Sequence, residues 1–225
     1  MKPAELRQHT LPRPTGRRSA RFGLGALLTV LRSSAFARDL RELSAYGARI
    51  KHERPIVLFC AKYLWRSGHD VIVEGGKHDL TVDGVTFEFK QHYDWDIPKA
   101  HKESERWQPP RRRKHETWRV LPEIHWDIIE KRPDVFVWII SERGLDGIDD
   151  FCKDHVCFWK DQFRYGKGGW TSDQILPMAN AMLNRIAVGR GRRGTRHSVS
   201  VETRARFVST YHFLIRGFPK RSRST

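Results

Sequence analysis

The sequence predicts an α/β protein with a core of helix, strand, strand, strand, helix and strand. In this core helices flank a mixed central sheet, and basic extensions lie at both ends. Asp83-Gly84 separates two runs of alternating apolar and polar residues, and this dipeptide favours a type I′ hairpin because both central residues need positive φ. A segment with helical apolar spacing precedes the hairpin. A second helical segment and a near-continuous apolar run over 134–141, typical of a strand buried on both faces, follow it.

Composition divides the 225 residues into three predicted parts. Residues 1–22 contain three prolines and an excess of basic side chains, which indicates a basic flexible arm. Residues 23–165 hold the predicted α/β core. Residues 166–225 are predicted as a helical extension with a flexible basic linker, which includes Arg196, and a basic tail.

The elements before the hairpin are predicted from apolar spacing and from residues that end helices. Residues 24–48 are predicted as one or two short helices. A clearer helix has Pro55 in its first turn, ends at Ser67-Gly68, and carries Val57 and Cys60 on its inward stripe. Residues 70–74 are predicted as the strand that leads into the hairpin.

The Asp83-Gly84 turn determines which hairpin residues oppose each other. The predicted pairs are Val82 with Val85, Thr81 with Thr86, Leu80 with Phe87, and Asp79 with Glu88. One face then carries only the apolar side chains of Leu80, Val82, Val85, Phe87 and Phe89. The other face carries Asp79, Thr81, Thr86, Glu88 and Lys90.

The polar face indicates a chemical role because two of its acids, Asp79 and Glu88, lie opposite each other. Like charges directly across two strands, about 5 Å apart, are destabilising. Water, a shared proton or a cation relieves the repulsion between Asp79 and Glu88, and paired carboxylates are the oxygen ligands that Mg²⁺ uses. With Lys90 on the same face, the set suits metal binding, orientation of a water and stabilisation of phosphate charge. The alternative is an ordinary amphipathic hairpin with a solvated polar face.

Asp79, followed by Glu88-Phe89-Lys90 at the end of an apolar strand, resembles the motif of the PD-(D/E)XK nuclease superfamily. His78 stands where that family usually has proline, and the resemblance covers residues 53–141. It implies that Asp79 and Glu88 bind one or two Mg²⁺ ions, for which Mn²⁺ can substitute, together with the Phe89 carbonyl. It also implies that Lys90 positions or deprotonates the attacking water.

Glu53 has two interpretations. It shares the inward stripe of Val57 and Cys60, and an acid on such a stripe needs a reason. By the same resemblance it adds a third catalytic carboxylate, as a first-helix glutamate does in many members of that family. The alternative is that it favours the positive N-terminus of its helix.

A basic, tryptophan-containing segment follows a short polar helix that ends near Glu105. Basic residues interleaved with tryptophan suit phosphate contact and base stacking. The candidate nucleic-acid-binding residues are Arg106, Trp107, Arg111, Arg112, Arg113 and Lys114, with Arg192 and Arg193 in the predicted linker. The alternative is a solvated loop with Trp107 and Trp118 packed into the core.

The remaining elements complete the predicted order. Residues 121–132 are predicted as a helix that Pro133 ends, and residues 172–188 as a helix whose inward stripe is Ile175, Ala179, Met182, Leu183 and Ile186. Residues 207–215 are predicted as a last strand or helix. The spacing of Cys152, His155 and Cys157 matches no standard zinc pattern, so a structural role is favoured.

Charge indicates the class of partner. A net charge of +16 predicts an anionic partner, of which nucleic acid is the commonest, and no apolar run is long enough for a membrane helix. Three cysteines do not make a disulfide framework, so a cytoplasmic location is expected. The predicted function is a Mg²⁺-dependent DNA endonuclease; cleavage at a symmetric site would require a homodimer. The alternatives are a non-catalytic DNA- or RNA-binding protein and, more weakly, a protein of structured RNA.

Overall fold

The computed structural model describes residues 20–45, 53–74, 76–94, 96–107, 120–143, 171–188, 194–205 and 208–218. The helices are α1 Ala20–Leu31, α2 Ser34–Ala45, α3 Glu53–Arg66, α4 Asp96–Ser104, α5 Val120–His125 and α6 Ser172–Ala187, and a π-helical turn over Trp126–Glu130 continues α5. The strands are β1 Val71–Val73, β2 Leu80–Val82, β3 Val85–Tyr93, β4 Val135–Arg143, β5 Thr195–Glu202 and β6 Val208–Gly217. The predicted α/β class, with a mixed sheet flanked by helices, is confirmed.

The six strands form one sheet in the order β1-β2-β3-β4-β6-β5. β3 and β4 are parallel, and every other neighbouring pair is antiparallel. Parallel neighbours need a crossover connection, and α4 and α5 lie in the segment that joins β3 to β4. Two helices therefore lie between these strands, at the positions of the predicted short polar helix that ends near Glu105 and of the predicted helix over 121–132.

The hairpin has the predicted register. Val82 pairs with Val85, Thr81 with Thr86 and Leu80 with Phe87. The turn residues have positive φ, 49° at Asp83 and 77° at Gly84, as a type I′ turn requires. The Asp83 carboxylate also accepts a hydrogen bond from the Asp70 backbone N–H at 3.0 Å, which ties the turn to the start of β1.

Helices cover both faces of the sheet. The apolar face of the hairpin packs against α1, α2 and α3. The opposite face packs against α4, α5 and α6. β4 lies between the two cores, and its residues 135–141 are all buried, as predicted for an apolar run of this kind. The predicted inward stripe of α6 is buried as well.

The segment predicted as a helical extension contributes more to the sheet than expected. Its described part contains α6 and two strands, and β6 pairs with β4 over almost its whole length. Arg196, expected in a flexible linker, lies in β5. Alternation explains this strand, because Val199 and Val201 are buried while Ser198 and Ser200 are exposed. The clustered arginines and glycines just before it obscure that pattern.

Several predicted features lie outside the described residues. These are residues 1–19 of the flexible arm predicted over 1–22, the basic residues Arg111, Arg112, Arg113, Lys114, Arg192 and Arg193, Trp118, and the segment that holds Cys152, His155 and Cys157. The last three residues of the predicted arm are helical, because α1 begins at Ala20. Across the ranges that the structure describes, there is no helix with the length and apolar character needed to span a bilayer.

Candidate functional site

The site lies just before the first residue of β2, where no strand covers the edge of β3. The β2–β3 ladder ends at Leu80 and Phe87. Beyond it, side-chain carboxylates take the place of a neighbouring strand. Asp79 Oδ2 accepts a hydrogen bond from the Phe89 backbone N–H at 2.7 Å, and Glu53 Oε2 accepts one from the Gln91 N–H at 2.9 Å. Two acids from separate elements therefore follow each other along one strand edge.

The hairpin register predicts that Asp79 pairs with Glu88 across the ladder, and this prediction is wrong. The Asp79 carboxylate instead turns along the strand edge to the Phe89 amide, because that N–H has no partner strand. The two acids nevertheless interact electrostatically. The negative charge of Asp79 contributes to raising the pKa of Glu88.

Among the predicted site residues that the structure describes, Glu88 is the most deeply buried, with 1% of its surface exposed. Its Oε1 accepts a hydrogen bond from the Lys131 ammonium. Its Oε2 is buried and has no hydrogen-bond partner among the described residues; His78 Nδ1, 3.7 Å away, is equally unsatisfied. Burial raises the pKa of Glu88 to about 8, the charges of Asp79 and Asp127 add to the rise, and Lys131 opposes it.

Lys90 lies between two acids. Its Nζ is 3.3 Å from Glu123 Oε2 and 4.0 Å from Glu53 Oε2. Burial alone would lower the pKa of Lys90, but Glu53 and Glu123 outweigh it and raise that pKa. Lys90 is therefore a stable ammonium that donates hydrogen bonds, and it is poorly suited to remove a proton from water.

Glu53 belongs to this cluster, whichever of its two interpretations applies. Burial raises the pKa of Glu53, and the nearby charges of Asp79 and Asp127 raise it further. Lys90 and the Gln91 amide act in the opposite direction. The carboxylate at the start of α3 therefore has its nearest partners on β3.

Three side chains of the cluster were not predicted from the sequence: Glu123, Asp127 and Lys131. Lys131 bridges Glu88 and Asp127, with Nζ 3.0 Å from Asp127 Oδ1. Glu123 bridges Lys90 and His92, with Oε2 3.5 Å from His92 Nε2. The signal was their spacing of four residues, which repeats along one side of a helix. The apolar stripe beside it, at Ile124 and Ile128, was the pattern that the sequence interpretation used.

The cluster has an excess of negative charge. Among the described residues it contains five acids (Glu53, Asp79, Glu88, Glu123 and Asp127) and two lysines, Lys90 and Lys131, which contact four of these acids. The structure describes no group of three or more His, Cys, Asp or Glu side chains arranged to hold a metal ion. Lysine nitrogens lie between the carboxylates instead, so the acids are partly neutralised by the protein's own cations.

A cleft of about 270 Å³ gives access to the edge of this cluster. Glu53 and Asp79 line it together with Glu74, and apolar side chains of α3 and β1 complete its wall. Arg54 Nε lies 2.9 Å from Glu74 Oε1. The two carboxylates on the β3 edge therefore border a space large enough for a small polar group, such as a phosphate.

Of the predicted nucleic-acid-binding residues, Arg106 and Trp107 are described. Arg106 is exposed. Trp107 is half-buried, and its ring packs 5.2 Å from the His125 ring, centroid to centroid, against the second core. The Trp107 ring is therefore only partly available for stacking on a base.

In comparisons with known proteins, the chain matches no family model, no curated protein and no solved structure. We therefore infer its function from the chemistry of its own side chains.

Proposed function

We propose that this protein is a metal-dependent nuclease that hydrolyses phosphodiester bonds in DNA, as an endonuclease. The observation that carries the proposal is the convergence of Glu53, Asp79, Glu88 and Lys90 from α3, the start of β2 and the middle of β3. These are the residues that the resemblance to the PD-(D/E)XK superfamily selects, and α3, β1, β2 and β3 follow one another in the order which that resemblance implies.

The chemistry of the oxygen donors fits a divalent cation. Asp79 and Glu88, with the Phe89 carbonyl, would hold Mg²⁺ or Mn²⁺. Two observations support this assignment: the buried Glu88 Oε2 has no hydrogen-bond partner among the described residues, and carboxylates outnumber lysines in the cluster. A bound cation would polarise the phosphate and lower the pKa of a bound water.

The protein's own residues have separate tasks in this proposal. Lys90, as an ammonium, donates to a phosphate oxygen and stabilises the charge that develops there. Glu53 and Glu123 hold its Nζ from two sides. His92, which accepts a hydrogen bond from Trp138 Nε1 at 3.0 Å, orients Glu123. Lys131 keeps the buried Glu88 carboxylate in position.

A DNA substrate is supported by the net charge of +16 and by the basic residues that the sequence concentrates around 106–114 and 190–196. DNA is favoured over RNA because the resemblance is to a superfamily of mainly DNA-cleaving enzymes. The same charge serves a protein that binds nucleic acid without cutting it.

One cleavage experiment tests the proposal. Supercoiled plasmid and a branched DNA are incubated with the wild type, Glu88→Ala and Lys90→Ala, in Mg²⁺ and in EDTA. Glu42→Ala, which removes an exposed acid on α2, is the matched control. We expect Mg²⁺-dependent cleavage by the wild type and the control, and none by the two site variants. Above pH 8, where Glu88 is ionised, Glu88→Ala should bind DNA as tightly as the wild type or more tightly, because a negative charge near the phosphate is removed.

The alternative function, a non-catalytic DNA- or RNA-binding protein, is favoured by one specific observation. Lys131 and Lys90 each lie between two acids, an arrangement that also suits structural ion pairs. Binding by the wild type with no Mg²⁺-dependent turnover on either DNA would favour this alternative. Normal cleavage by Glu88→Ala would instead refute the site assignment.

A further inference from the structure

A pair of arginines lies towards the edge of the sheet opposite the hairpin. Arg196 in β5 is paired directly with Arg216 in β6. Arg216 is 5% exposed, whereas Arg196 is exposed. Like charges directly opposed on neighbouring strands are destabilising, so the pair needs a compensating interaction.

The described residues supply no negative charge to this pair. Arg216 Nη2 donates to Asn184 Oδ1 at 2.7 Å and to Asn180 Oδ1 at 3.4 Å, and both acceptors are neutral amides of α6. Neither arginine forms an ion pair with a carboxylate of the described residues. Burial, together with the charge of Arg196, lowers the pKa of Arg216 to about 10. The two asparagines thus hold the Arg216 guanidinium in a fixed orientation, but its positive charge is poorly compensated.

An anion with several oxygens would reduce the repulsion between the two arginines and would supply the negative charge that the described residues lack. The planar guanidinium donates two parallel hydrogen bonds to phosphate, and partial burial strengthens such charge-assisted bonds. We propose that Arg196 and Arg216 form a site for a backbone phosphate of nucleic acid, in which Arg196 contacts the phosphate and Arg216 adds positive charge beneath it.

Two further observations favour nucleic acid as the source of the phosphate. The sequence places Arg192 and Arg193 shortly before β5, and Lys220 and Arg221 shortly after β6. Thr195 at the start of β5 pairs with Gly217 at the end of β6, so β5 begins and β6 ends at the same corner of the sheet. An extended polyanion, unlike a single ion, can contact several separate positive charges.

The register also relates the pair to the candidate active site. Glu88 pairs with Phe136, Phe136 with Arg216, and Arg216 with Arg196, so the four residues form one row across the same face of the sheet. Strands lie about 4.8 Å apart, which puts the backbones of Arg216 and Arg196 about 10 and 14 Å from Glu88. Such a contact would position the DNA without reading its sequence.

The site rests on the proposed nucleic-acid partner but not on cleavage, so binding is measured in EDTA. The affinity of a labelled duplex is followed by fluorescence anisotropy against salt for the wild type and Arg196→Ala. Arg38→Ala, which removes an exposed charge from α2 on the other side of the sheet, is the control. We expect Arg196→Ala to weaken binding and to reduce the slope of log K against log salt by about one. Arg38→Ala should leave that slope unchanged.

Inorganic phosphate and anionic vesicles separate the remaining possibilities. Phosphate should raise the unfolding midpoint of the wild type above that in chloride of equal ionic strength, and Arg196→Ala should abolish this difference. Equal salt slopes for Arg196→Ala and Arg38→Ala would overturn the proposal. So would an Arg196-dependent affinity for anionic vesicles without one for DNA. Because no turnover is needed, the phosphate site remains testable if the protein proves not to be a nuclease.

Discussion

Replacing Glu88 with glutamine removes a buried charge and keeps the shape of the side chain. Burial raises the pKa of Glu88 from 4.5 to about 8. The folded-state value lies above the unfolded one, so the stability that this group contributes is complete below pH 4.5 and is lost as the pH rises to about 8. One pKa unit corresponds to about 1.4 kcal/mol, which limits the total effect to about 5 kcal/mol.

Glutamine does not titrate, so the variant should become more stable relative to the wild type as the pH rises. We expect the difference in the free energy of unfolding to grow by about 2 to 4 kcal/mol between pH 5 and 8. Urea unfolding in EDTA at a series of pH values measures it, with Glu42→Gln as the exposed control. Mg²⁺ should reduce the pH dependence of the wild type only. A difference that does not change with pH would mean that Lys131 keeps Glu88 ionised throughout, and would refute the reasoning.

Two further substitutions test the fold around the site. Gly84→Ala should cost about 1 kcal/mol in urea unfolding because Gly84 has φ of 77°, although no atom would touch the new methyl group. Gly25→Ala, in α1 and equally free of contacts, should be neutral or stabilising; equal losses from both would contradict the assigned turn. Glu142→Gln should cost about 1 to 2 kcal/mol at pH 7, because the hydrogen bond from His212 lowers the pKa of Glu142. This contribution is present above pH 4.5 and is lost as the pH falls through the lowered value, so a cost that persists unchanged at pH 3 would argue against it.

The hairpin could be predicted from the sequence because turn chemistry and alternation agree there. Asp-Gly needs positive φ at both positions, and a shift of one residue would turn every apolar side chain to the wrong face. The helix over 172–187 was similarly accessible, since its five apolar positions repeat at helical spacing. Local pattern and tertiary burial favour the same answer in both places.

The other features of the fold and of the site depend on contacts between distant segments, which a local sequence pattern does not reveal. β5 has only two buried apolar residues, Val199 and Val201, and owes its place to pairing with β6 from Thr210 to Gly217. The ends of the hairpin were likewise misjudged, because the Asp79 carboxylate takes the Phe89 amide instead of continuing the ladder. The partners of the buried Glu88 come from a segment about 40 residues further along the chain, which no short motif could indicate.

The carboxylates of Asp79 and Glu53 also protect the protein from association through its sheet. A strand whose N–H groups face outward is a template for a strand of another molecule. At β3 the amides of Phe89 and Gln91 are already occupied by these acids. An incoming strand would have to displace two carboxylates and approach a cluster of negative charge. Replacement of either acid by alanine would leave one of these amides without its acceptor, and would expose an edge that favours aggregation.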